Sequence, residues 1–478
     1  MRKKILLVNP PGGSKKLYGN SFEQVAPSFP PLGLLYIAAV LMDDDHHVVI
    51  QDYRLRNMTV QDAINDILNQ KPDFLGITST TSQYNVAKGI INSVKEKRPS
   101  IKIVFGGSHF TAMPVKSLDD IRGLDYGIVG EAEYSFRDLV NGISIRRIEG
   151  VVFREGENIF YKNDFAIVND LNRLPYPARS LLPIKEYMPS PVNYKRLPAT
   201  TIITSRGCAG TCDFCIDGNR DHGVRFLSAG KVFEEMQAIK ENFGVIDITI
   251  KDDSFAQDKE RVIKLCEIII KKNLKIYWNC MSRIADTLDE EMLRLMKAAG
   301  CYQIGIGVET FGTKTLENHK KAIEREMTIK AAELLRKSKI EPRIFLLIGF
   351  PEETKEDILN TFKFVEMLKP KIFQMCVLVP FPGTKLREDY ERDRGFSDEN
   401  WDTYLGFCPE CAPTYTPLIS KEELVRLFYK GYSDFYSHPR RILENLRSTL
   451  INLGFRRGLS DIIKKAWFLY KIKGQTRR

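Results

Sequence analysis

Three cysteines in one short stretch are the residues of this chain best suited to metal chemistry. Cys208, Cys212 and Cys215 lie in the segment TSRGCAGTCDFCID with the spacing C-x3-C-x2-C. A structural zinc site takes four ligands, so three thiols are one ligand short. A [4Fe–4S] cluster also normally takes four cysteines, and three would leave one iron open to a substrate or cofactor. The spacing predicts such an open cluster; a zinc knuckle or incidental cysteines are the alternatives.

The other cysteines do not form a second set of this kind. The chain has nine cysteines, an odd number, and none precedes Cys208, which argues against a disulfide framework. Cys408 and Cys411 form a C-x2-C pair, for which a structural role, a redox role and half of an auxiliary metal site stay open. The remaining four lie in apolar strand or helix patterns and are expected in the core: Cys266, Cys280, Cys301 and Cys376.

The cysteine loop follows the first strand of a regular strand and helix alternation. Between residues 199 and 395 six strand patterns alternate with helical ones, beginning with TTIITSRG directly before the cysteines. Six consecutive βα units predict a partial barrel of the TIM type, whose active-site residues lie at the carboxyl ends of the strands.

Residues 1–145 show the same alternation, which predicts a Rossmann-like parallel sheet with helices on both faces. Ligands of such a sheet bind in the loops at the carboxyl ends of its strands. Residues 146–198 carry a hairpin pattern and many prolines and are expected to be a linker. Residues 396–478 are expected to be helical and basic. The predicted fold class is therefore α/β, with a Rossmann-like sheet, a partial (βα)6 barrel and a helical C-terminal region.

A C-x3-C-x2-C loop after the first strand of a βα barrel closely resembles the radical S-adenosylmethionine (SAM) superfamily. Phe214 takes the usual aromatic place before the third cysteine. The resemblance implies that Cys208, Cys212 and Cys215 hold a [4Fe–4S] cluster whose open iron binds SAM, and that SAM is cleaved reductively to a 5′-deoxyadenosyl radical. The cofactor carries this chemistry, and the protein supplies orientation and exclusion.

The ends of the barrel strands supply the SAM contacts that the resemblance implies. The segment IKDDSF stands where the family more usually has Gly-Gly-Glu, and MSRI, GIGVET and LLIGFPEET end later strands. A carboxylate would match the amino group of SAM. The expected contacts are Phe214, Asp252, Asp253, Ser282, Arg283, Glu309, Gly349 and Pro351.

The N-terminal region resembles the cobalamin-binding (B12-binding) domains attached to radical SAM enzymes, in the phrases VNPP, FPPLGLLYIAAVL, PDFLGITSTTS, IVFGGSHFTAMP and DYGIVGEAE. The implied cobalamin contacts are Ser79, Thr80, Thr81, Gly106, Gly107, Ser108, His109, Gly130 and Glu131. Many such domains ligate cobalt through the histidine of Asp-x-His-x-x-Gly after the first strand. The loop NPPGGSKKLYG has no histidine, which fits a corrinoid bound without that ligand or a structural domain that binds none.

The resemblance implies a cobalamin-dependent radical SAM enzyme of the class B methylase, porphyrin-cyclase-like and hopanoid-modifying group, which methylates an unactivated carbon. Cyclisation or rearrangement by the same architecture is the alternative. A transfer RNA methylthiotransferase is disfavoured because such a relative needs three cysteines in its N-terminal domain, so no nucleic-acid partner is expected. A zinc-stabilised binding protein is the non-enzymatic alternative. An electron donor such as flavodoxin or ferredoxin is the implied partner.

Charge and aromatic residues distinguish the C-terminal region. The net charge is +10, and residues 421–478 contain 14 Lys/Arg against 5 Asp/Glu. This pattern indicates a solvated helical face, or a contact with an anionic membrane surface or acidic partner. The interleaved aromatic residues are expected to cap the barrel and shape a pocket for a lipid or other hydrophobic substrate: Tyr429, Tyr432, Phe435, Tyr436, Trp467, Phe468 and Tyr470.

The sequence contains no run of about 18 apolar residues that could span a bilayer. The longest apolar stretch, Leu32–Met42, is expected to be a packed helix. The apolar run of MRKKILLVNPP is too short for a signal peptide and predicts a first strand. A cytoplasmic location is therefore expected, with peripheral membrane association as an addition to it.

Overall fold

A computed structural model describes residues 2–12, 22, 26–190, 192–217, 222–321, 323–397, 399–439, 441–443, 446, 462–464, 466–467 and 469–472. The chain divides into two compact units. The first unit comprises Met1–Leu17, Pro30–Ile184 and Phe381–Tyr404, and the second comprises Tyr18–Phe29, Lys185–Pro380 and Leu405–Arg478.

A seven-stranded sheet, counted within the described residues, forms the centre of the first unit. Its strands are β1 (Lys4–Asn9), β2 (His47–Asp52), β3 (Phe74–Thr78), β4 (Lys102–Gly106), β5 (Tyr126–Ile128), β6 (Val151–Glu155) and β7 (Asn158–Phe160). They are ordered β2-β1-β3-β4-β5-β6-β7. The first five run parallel, and β6 and β7 continue the sheet as an antiparallel hairpin. The central run Ile5–Val8 is fully buried, as expected of a parallel strand covered on both faces.

The helices of the first unit connect and flank these strands. They are α1 (Leu32–Asp43), α2 (Val60–Gln70), α3 (Tyr84–Lys97), α4 (Ser108–Ala112), α5 (Pro114–Asp120) and α6 (Ala132–Val140). Local sequence fixes their starts: Thr59 and Asp62 form a capping box at the start of α2. The later segment of this unit, Phe381–Tyr404, adds a helix at Lys385–Arg394 and a short 3-10 turn at Trp401–Thr403.

The second unit is built on six parallel strands, again counted among the described residues. They are β8 (Ala199–Ile202), β11 (Asp247–Ile250), β12 (Tyr277–Ser282), β13 (Cys301–Glu309), β14 (Glu341–Ile348) and β15 (Ile372–Val377), and a short ribbon pairs β9 (Ser205–Arg206) with β10 (Arg225–Phe226). The spatial order follows the chain order, β8 to β15. This order is that of a βα barrel, and β8 and β15 remain unpaired with each other.

A helix follows most of these strands. The helices are α7 (Ala229–Phe243), α8 (Lys259–Lys271), α9 (Glu290–Ala298), α10 (Thr313–Asn318), α11 (Arg325–Lys337) and α12 (Lys355–Leu368). The next helix along the chain, α13 (Lys385–Arg394), belongs to the first unit, and α14 (Lys421–Tyr436) belongs to the second. Side-chain caps start several of them, as Ser228 does for α7 and Asp258 for α8.

Two tyrosines of α14 cover the free edge of β15. The hydroxyl of Tyr432 accepts a bond from Met375 N at 2.8 Å and donates to Met375 O at 2.9 Å. Tyr436 does the same with Phe373 N and O, at 3.2 and 2.7 Å. These hydroxyls satisfy backbone groups that a neighbouring strand would otherwise pair, so the barrel edge ends on side chains.

The predicted fold class is confirmed: a parallel N-terminal sheet, a partial barrel and a helical region after it. The compact units divide the chain differently from the predicted domain boundaries. The hairpin of residues 151–160 pairs with β5 and so belongs to the first sheet, and residues 381–404 also pack in the first unit. The ribbon β9–β10 has only two residues in each strand, too few for a sequence pattern. No helix within the described ranges is long and apolar enough to cross a membrane.

Gly127 of β5 offers a test of packing in the first unit. A Cβ atom at Gly127 would lie 1.8 Å from Cζ of Phe110, whose ring is fully buried. We expect Gly127→Ala to lower the free energy of unfolding by about 1–3 kcal/mol, because the ring must move in a filled core. The measurement is the midpoint of urea unfolding followed by circular dichroism.

Gly89, within α3, provides the matched control, since nothing lies within 4 Å of its Cβ position. Gly89→Ala is expected to stabilise the unit by about 0.5–1 kcal/mol through helix propensity. Equal midpoints for the two alanine variants would contradict this description of the core.

Candidate functional site

The three predicted cluster cysteines lie on the loop that follows β8 and β9. All three are partly exposed cysteines outside any disulfide. Gly210 stands between them: its N–H donates to Sγ of Cys208 at 3.3 Å, and a Cβ on it would lie 3.3 Å from that sulfur and 4.0 Å from Sγ of Cys212. The two sulfurs thus face one space that a side chain at residue 210 would fill. This cradle of accessible thiols fits an iron–sulfur cluster as its ligand set.

A single metal ion is a different case. Among the residues that the structure describes, no group of three His, Cys, Asp or Glu side chains is arranged to hold one ion.

A buried network fixes the start of the cysteine loop. The carboxylate of Asp252 accepts bonds from N and Oγ1 of Thr204, at 2.6 and 2.5 Å, and lies 3.8 Å from the guanidinium of Arg261. Arg261 in turn donates to Oγ1 and O of Thr204 at 3.0 and 3.3 Å. Burial raises the pKa of Asp252, and the charge of Arg261 opposes that effect. The network therefore locks the end of β8 to the end of β11 four residues before Cys208.

A second network holds the other part of the loop. Asp213, between two cluster cysteines, accepts from Nδ1 of His319 at 2.9 Å, and Glu352 lies 3.3 Å from Nε2. Burial lowers the pKa of His319, but the two carboxylates outweigh it and raise the pKa to about 9. With this pKa, His319 is an imidazolium at neutral pH. It is 5% exposed and lies between the cysteine loop and the turn after β14. Its ring also packs on Phe350, with centroids 4.8 Å apart.

A buried ion pair stands beside the thiols. Nζ of Lys321 lies 2.7 Å from Oε1 of Glu309, and the two side chains are 17% and 10% exposed. Burial lowers the pKa of Lys321, but the charges of Glu309, Cys212 and Cys215 raise it above its usual value. Burial raises the pKa of Cys212, and Lys321 counteracts this. Lys321 therefore stabilises the thiolate form that iron binding requires.

The backbone around Glu309 is built to hold this pair. Glu309 has a positive φ of 60°, at a register shift between β13 and β14. A Cβ at Gly307 would lie 2.3 Å from Oε1 of Glu309 and 3.0 Å from Nζ of Lys321. A non-glycine residue at positive φ is uncommon and strained, and such strain clusters at functional sites.

The predicted SAM contacts divide into two groups in the structure. Asp252 and Ser282 are buried and already engaged: Ser282 Oγ accepts from Ala256 N at 3.1 Å. These two side chains brace the ends of their strands, and their contact with SAM stays a prediction. Asp253 is exposed, and Arg283 is 37% exposed beside Asp286. They remain the polar strand-end groups within reach of a ligand.

The turn after β14 contains the next predicted contacts. Gly349 has φ of 90°, and its N–H donates to Oε2 of Glu353 at 2.8 Å. The buried carboxylate of Glu353 also accepts from Phe350 N at 3.1 Å, and burial raises its pKa to about 7. Pro351 is buried, and Phe214 packs with Phe350 at a centroid distance of 5.9 Å. The structure thus brings the aromatic residue of the cysteine loop to this turn.

The predicted cobalamin contacts lie at the carboxyl edge of the first unit's sheet, in the loops after β3, β4 and β5. Thr80 and Ser108 are exposed, and Gly106 is half-buried. Three buried polar atoms of the same edge have no partner within the described residues: Ser79 Oγ, Gln83 Nε2 and His109 Nδ1. Orphaned polar atoms and a side-chain-free position suit a polar ligand that brings its own hydrogen bonds.

Several of these residues also have structural tasks. Gly107 and Gly130 have φ of 99° and 94°, and a Cβ at either would lie within 2.6 Å of backbone oxygen. Thr81 is buried in a 3-10 turn, and Glu131 accepts a bond from Val168 N at 2.7 Å. His109 is 1% exposed, with ring centroids of Tyr84 and Trp401 at 4.2 and 5.0 Å. Burial lowers its pKa to about 4, so His109 is a neutral packing residue here.

Sequence reasoning missed Arg261, His319 and Lys321. Arg261 lies inside an amphipathic helix, whose sequence pattern predicts that a charged residue there faces solvent. His319 and Lys321 follow α10 in the polar run LENHKK, which has no periodic signal. Only the folded chain shows that they contact the cysteine loop or its neighbours.

The remaining cysteines follow their predictions in part. Cys266, Cys280 and Cys301 are buried, and Cys376 is half-buried against Gly406. Cys408 and Cys411 form a disulfide with Cα atoms 5.4 Å apart. The role of the C-x2-C segment stays a prediction.

Family models match both parts of the chain. The B12 binding domain matches residues 22–140, and the Radical SAM superfamily matches residues 202–365, which includes the three cysteines and Glu309.

Curated relatives align along most of the chain. An uncharacterized methyltransferase, PH0819, of Pyrococcus horikoshii is 29% identical over 451 residues, covering 93% of this chain and 94% of that protein. The anaerobic magnesium-protoporphyrin IX monomethyl ester cyclase of Rubrivivax gelatinosus is 26% identical over 383 residues, covering 78% and 68%.

A solved structure shares the fold of the whole chain. The radical S-adenosylmethionine methyltransferase TsrM of Kitasatospora setae, with cobalamin and a [4Fe–4S] cluster bound, superposes with a TM-score of 0.71 at 17% identity, covering 99% of this chain and 100% of that one. This likeness concerns the fold. The two family matches, with the cysteine loop inside the second, identify the chain as a radical SAM enzyme whose barrel is preceded in the sequence by a B12-binding domain.

Proposed function

We propose that this enzyme is a cobalamin-dependent methyltransferase that acts on an unactivated carbon of a small molecule. The observation that carries the proposal is the accessible three-thiol loop at the carboxyl end of the first barrel strand, in a chain that also contains a B12-binding domain. The relative from Pyrococcus horikoshii, described as a methyltransferase, supports methyl transfer as the outcome.

When bound, the cluster with SAM supplies a carbon-centred radical and the corrinoid supplies a methyl group, and this chemistry belongs to the cofactors. Cys208, Cys212 and Cys215 would hold the cluster. Lys321 opposes the effect of burial on the pKa of the Cys212 thiol, while Glu309 balances the charge of the lysine. Asp252 and His319 fix the loop at both ends, so the thiols keep their geometry without a fourth protein ligand.

Other residues would orient SAM and the corrinoid. Asp253 and Arg283 offer a carboxylate and a guanidinium for the amino and carboxylate groups of SAM. The turn of Gly349 and Pro351, with Phe214 beside it, would face the adenine. In the first unit the loops of Thr80, Gly106 and Ser108 would contact the corrinoid.

Cyclisation is a second candidate because the relative from Rubrivivax gelatinosus aligns with 78% of this chain. The products of SAM separate the two. A methyltransferase of this kind forms S-adenosylhomocysteine and 5′-deoxyadenosine in cobalamin-dependent amounts, whereas a cyclase forms 5′-deoxyadenosine without S-adenosylhomocysteine. Anaerobically reconstituted protein with a flavodoxin or ferredoxin donor is the material for this assay, and absence of S-adenosylhomocysteine would overturn the methyltransferase proposal.

Cytoplasmic location and salt-sensitive contact with anionic lipid through the basic C-terminal region remain part of the proposal. The positive balance of residues 421–478 supports the lipid contact. Co-sedimentation with anionic liposomes at two salt concentrations tests it, and equal binding to neutral liposomes would refute it.

Cys212→Ala tests the cluster assignment. We expect the variant to lose iron, acid-labile sulfide and SAM cleavage, because one of three ligands is gone. Cys266→Ala is the control, since Cys266 is buried in α8 far along the chain from the loop. Retention of about four irons per chain by Cys212→Ala would show the assignment to be wrong.

Lys321→Met tests the ion pair. Removal of the ammonium leaves the Glu309 carboxylate buried beside the thiols, so cluster content is expected to fall. The double variant Lys321→Met/Glu309→Gln removes both charges and is expected to recover iron content. If the double variant recovers its iron content but does not cleave SAM, the result would agree with a contact between Glu309 and SAM. Unchanged iron content in Lys321→Met would contradict this electrostatic role.

Gly106→Leu tests the corrinoid site. A Cβ at Gly106 would meet only Ile128 O, at 3.7 Å, so the unit should fold while the side chain enters the proposed pocket. We expect bound corrinoid to fall by at least about tenfold and reductive SAM cleavage to persist. Gly107→Ala is a matched destabilising variant, because its Cβ would lie 2.6 Å from Ser79 O. Undiminished corrinoid in folded Gly106→Leu would place the corrinoid elsewhere.

A further inference from the structure

The second unit encloses a cavity of about 400 Å³ along the inner face of the barrel sheet. Its floor is made of inward side chains of β11 to β15, and its side is closed by residues of α14 and by Phe29 and Phe407. Most of the lining is aliphatic or aromatic. Pockets of this character, with few polar groups, hold small molecules in many proteins.

Two cations interrupt this apolar lining. Met281 pairs in register with Gly305, and Gly305 with Arg343. Lys251 follows β11 two residues after Thr249, which pairs with Asn279, so Lys251 stands at the same level. Lys251 and Arg343 thus belong to one row of inward-facing positions.

The contacts of these cations are all with uncharged groups. The guanidinium of Arg343 donates to the side-chain oxygens of Asn193 and Gln374, and its Nε has no partner. Nζ of Lys251 lies 4.0 Å from the centroid of the Phe29 ring. Within the described part of the chain, no carboxylate stands within ion-pair distance of either cation.

Such an arrangement is costly unless something else compensates the charge. Burial lowers the pKa of Lys251 to about 8, and the charge of Arg343 adds to this effect. Burial also lowers the pKa of Arg343 to about 10. Two other buried charges of this unit do have ionic partners: Asp252 has Arg261 and Glu309 has Lys321. Buried charges are normally paired, so the two unpaired cations indicate a missing anion.

We propose that the cavity binds an amphiphilic anion, with a carboxylate or phosphate held between Lys251 and Arg343 and an apolar body packed on the rings of Phe29, Phe345 and Tyr432. The proposal rests on the proposed function in one respect: the ligand class would be that of the methylated substrate. The binding claim itself is separate and needs neither cluster nor corrinoid.

The experiment measures binding of dodecanoate, dodecyl phosphate and uncharged dodecan-1-ol to the full chain by isothermal titration calorimetry below the critical micelle concentrations. We expect one molecule of an anionic probe to bind per chain. The alcohol should bind at least about tenfold more weakly, because it cannot form the charged hydrogen bonds of the anion. A preference between the two anions distinguishes carboxylate from phosphate.

Lys251→Met and Arg343→Met should each weaken the anionic probe by at least about tenfold and leave the alcohol unaffected. Lys264→Met, at an exposed position of α8, is the matched control and should change neither. Because Lys251 has no anionic partner among the described residues, Lys251→Met should also raise the thermal midpoint, which separates loss of a ligand contact from misfolding.

Three results would overturn the inference: no binding of either anion, equal affinity for dodecan-1-ol, or unchanged affinity in folded Lys251→Met. Displacement of dodecanoate by SAM in the reconstituted protein would also overturn it, by assigning the cations to SAM. Cys212→Ala should bind the probe normally. If probe binding holds while SAM cleavage is absent from the parent protein, the proposed function fails and the binding site stands.

Discussion

The geometry of the cysteine loop depends on one buried hydrogen-bonded carboxylate, that of Asp252. Three thiols on a loop do not define a cluster site unless the loop is held rigid, because no fourth protein ligand closes the set. Asp252 reaches from the end of β11 to Thr204 at the end of β8, and Arg261 balances its charge. A carboxylate left in this place without Arg261 would be buried and unpaired, at a cost of several kcal/mol.

Charge is handled in two different ways within the same unit. Around the cysteine loop three ionic contacts join buried groups of opposite sign: Asp252 with Arg261, Glu309 with Lys321, and His319 between Asp213 and Glu352. Each of these pairs joins one strand end or loop to another. The pairs therefore fix the relative positions of these segments and also neutralise the buried charges. In the cavity no described carboxylate pairs with either cation, and their neighbours are amides and rings. The first arrangement suits a permanent scaffold, and the second suits a site that is complete only with a ligand.

Much of the fold followed from the sequence, whereas the identity of the cluster ligands stays a prediction. Strand and helix periodicity sufficed for the barrel, because each βα unit is local and consecutive strands are neighbours. The cysteine spacing is likewise local. The sequence does not show which side chain at the end of a strand is buried: Asp252 and Asp253 are adjacent, yet one is buried in a network and the other is exposed. Side chains alternate between the two faces of a strand, and this alternation decides which residue is buried. Where the strand stops, the sequence no longer shows which face a residue is on.

Long-range contacts were beyond the sequence for a related reason. His319 contacts Asp213 across 106 positions, and Arg343 contacts Asn193 across 150. Residues 151–160 read correctly as a hairpin, but local pattern does not show which edge a hairpin joins. The aromatic C-terminal residues were expected to cap the barrel, and Tyr432 and Tyr436 do so through backbone bonds, whereas Tyr470 is exposed and Phe468 lies outside the described residues.

The closure of the barrel edge couples the C-terminal helix to ligand choice. Tyr432 and Tyr436 bond to the backbone of β15 and also line the cavity. Burial raises the pKa of Tyr436 to about 12, so it stays a neutral phenol that both donates and accepts. A substitution that loosened α14 would therefore expose the β15 edge and reshape the cavity at the same time. Protection of the β15 edge and the shape of the cavity in which the proposed amphiphilic anion binds therefore depend on the same two tyrosines of α14.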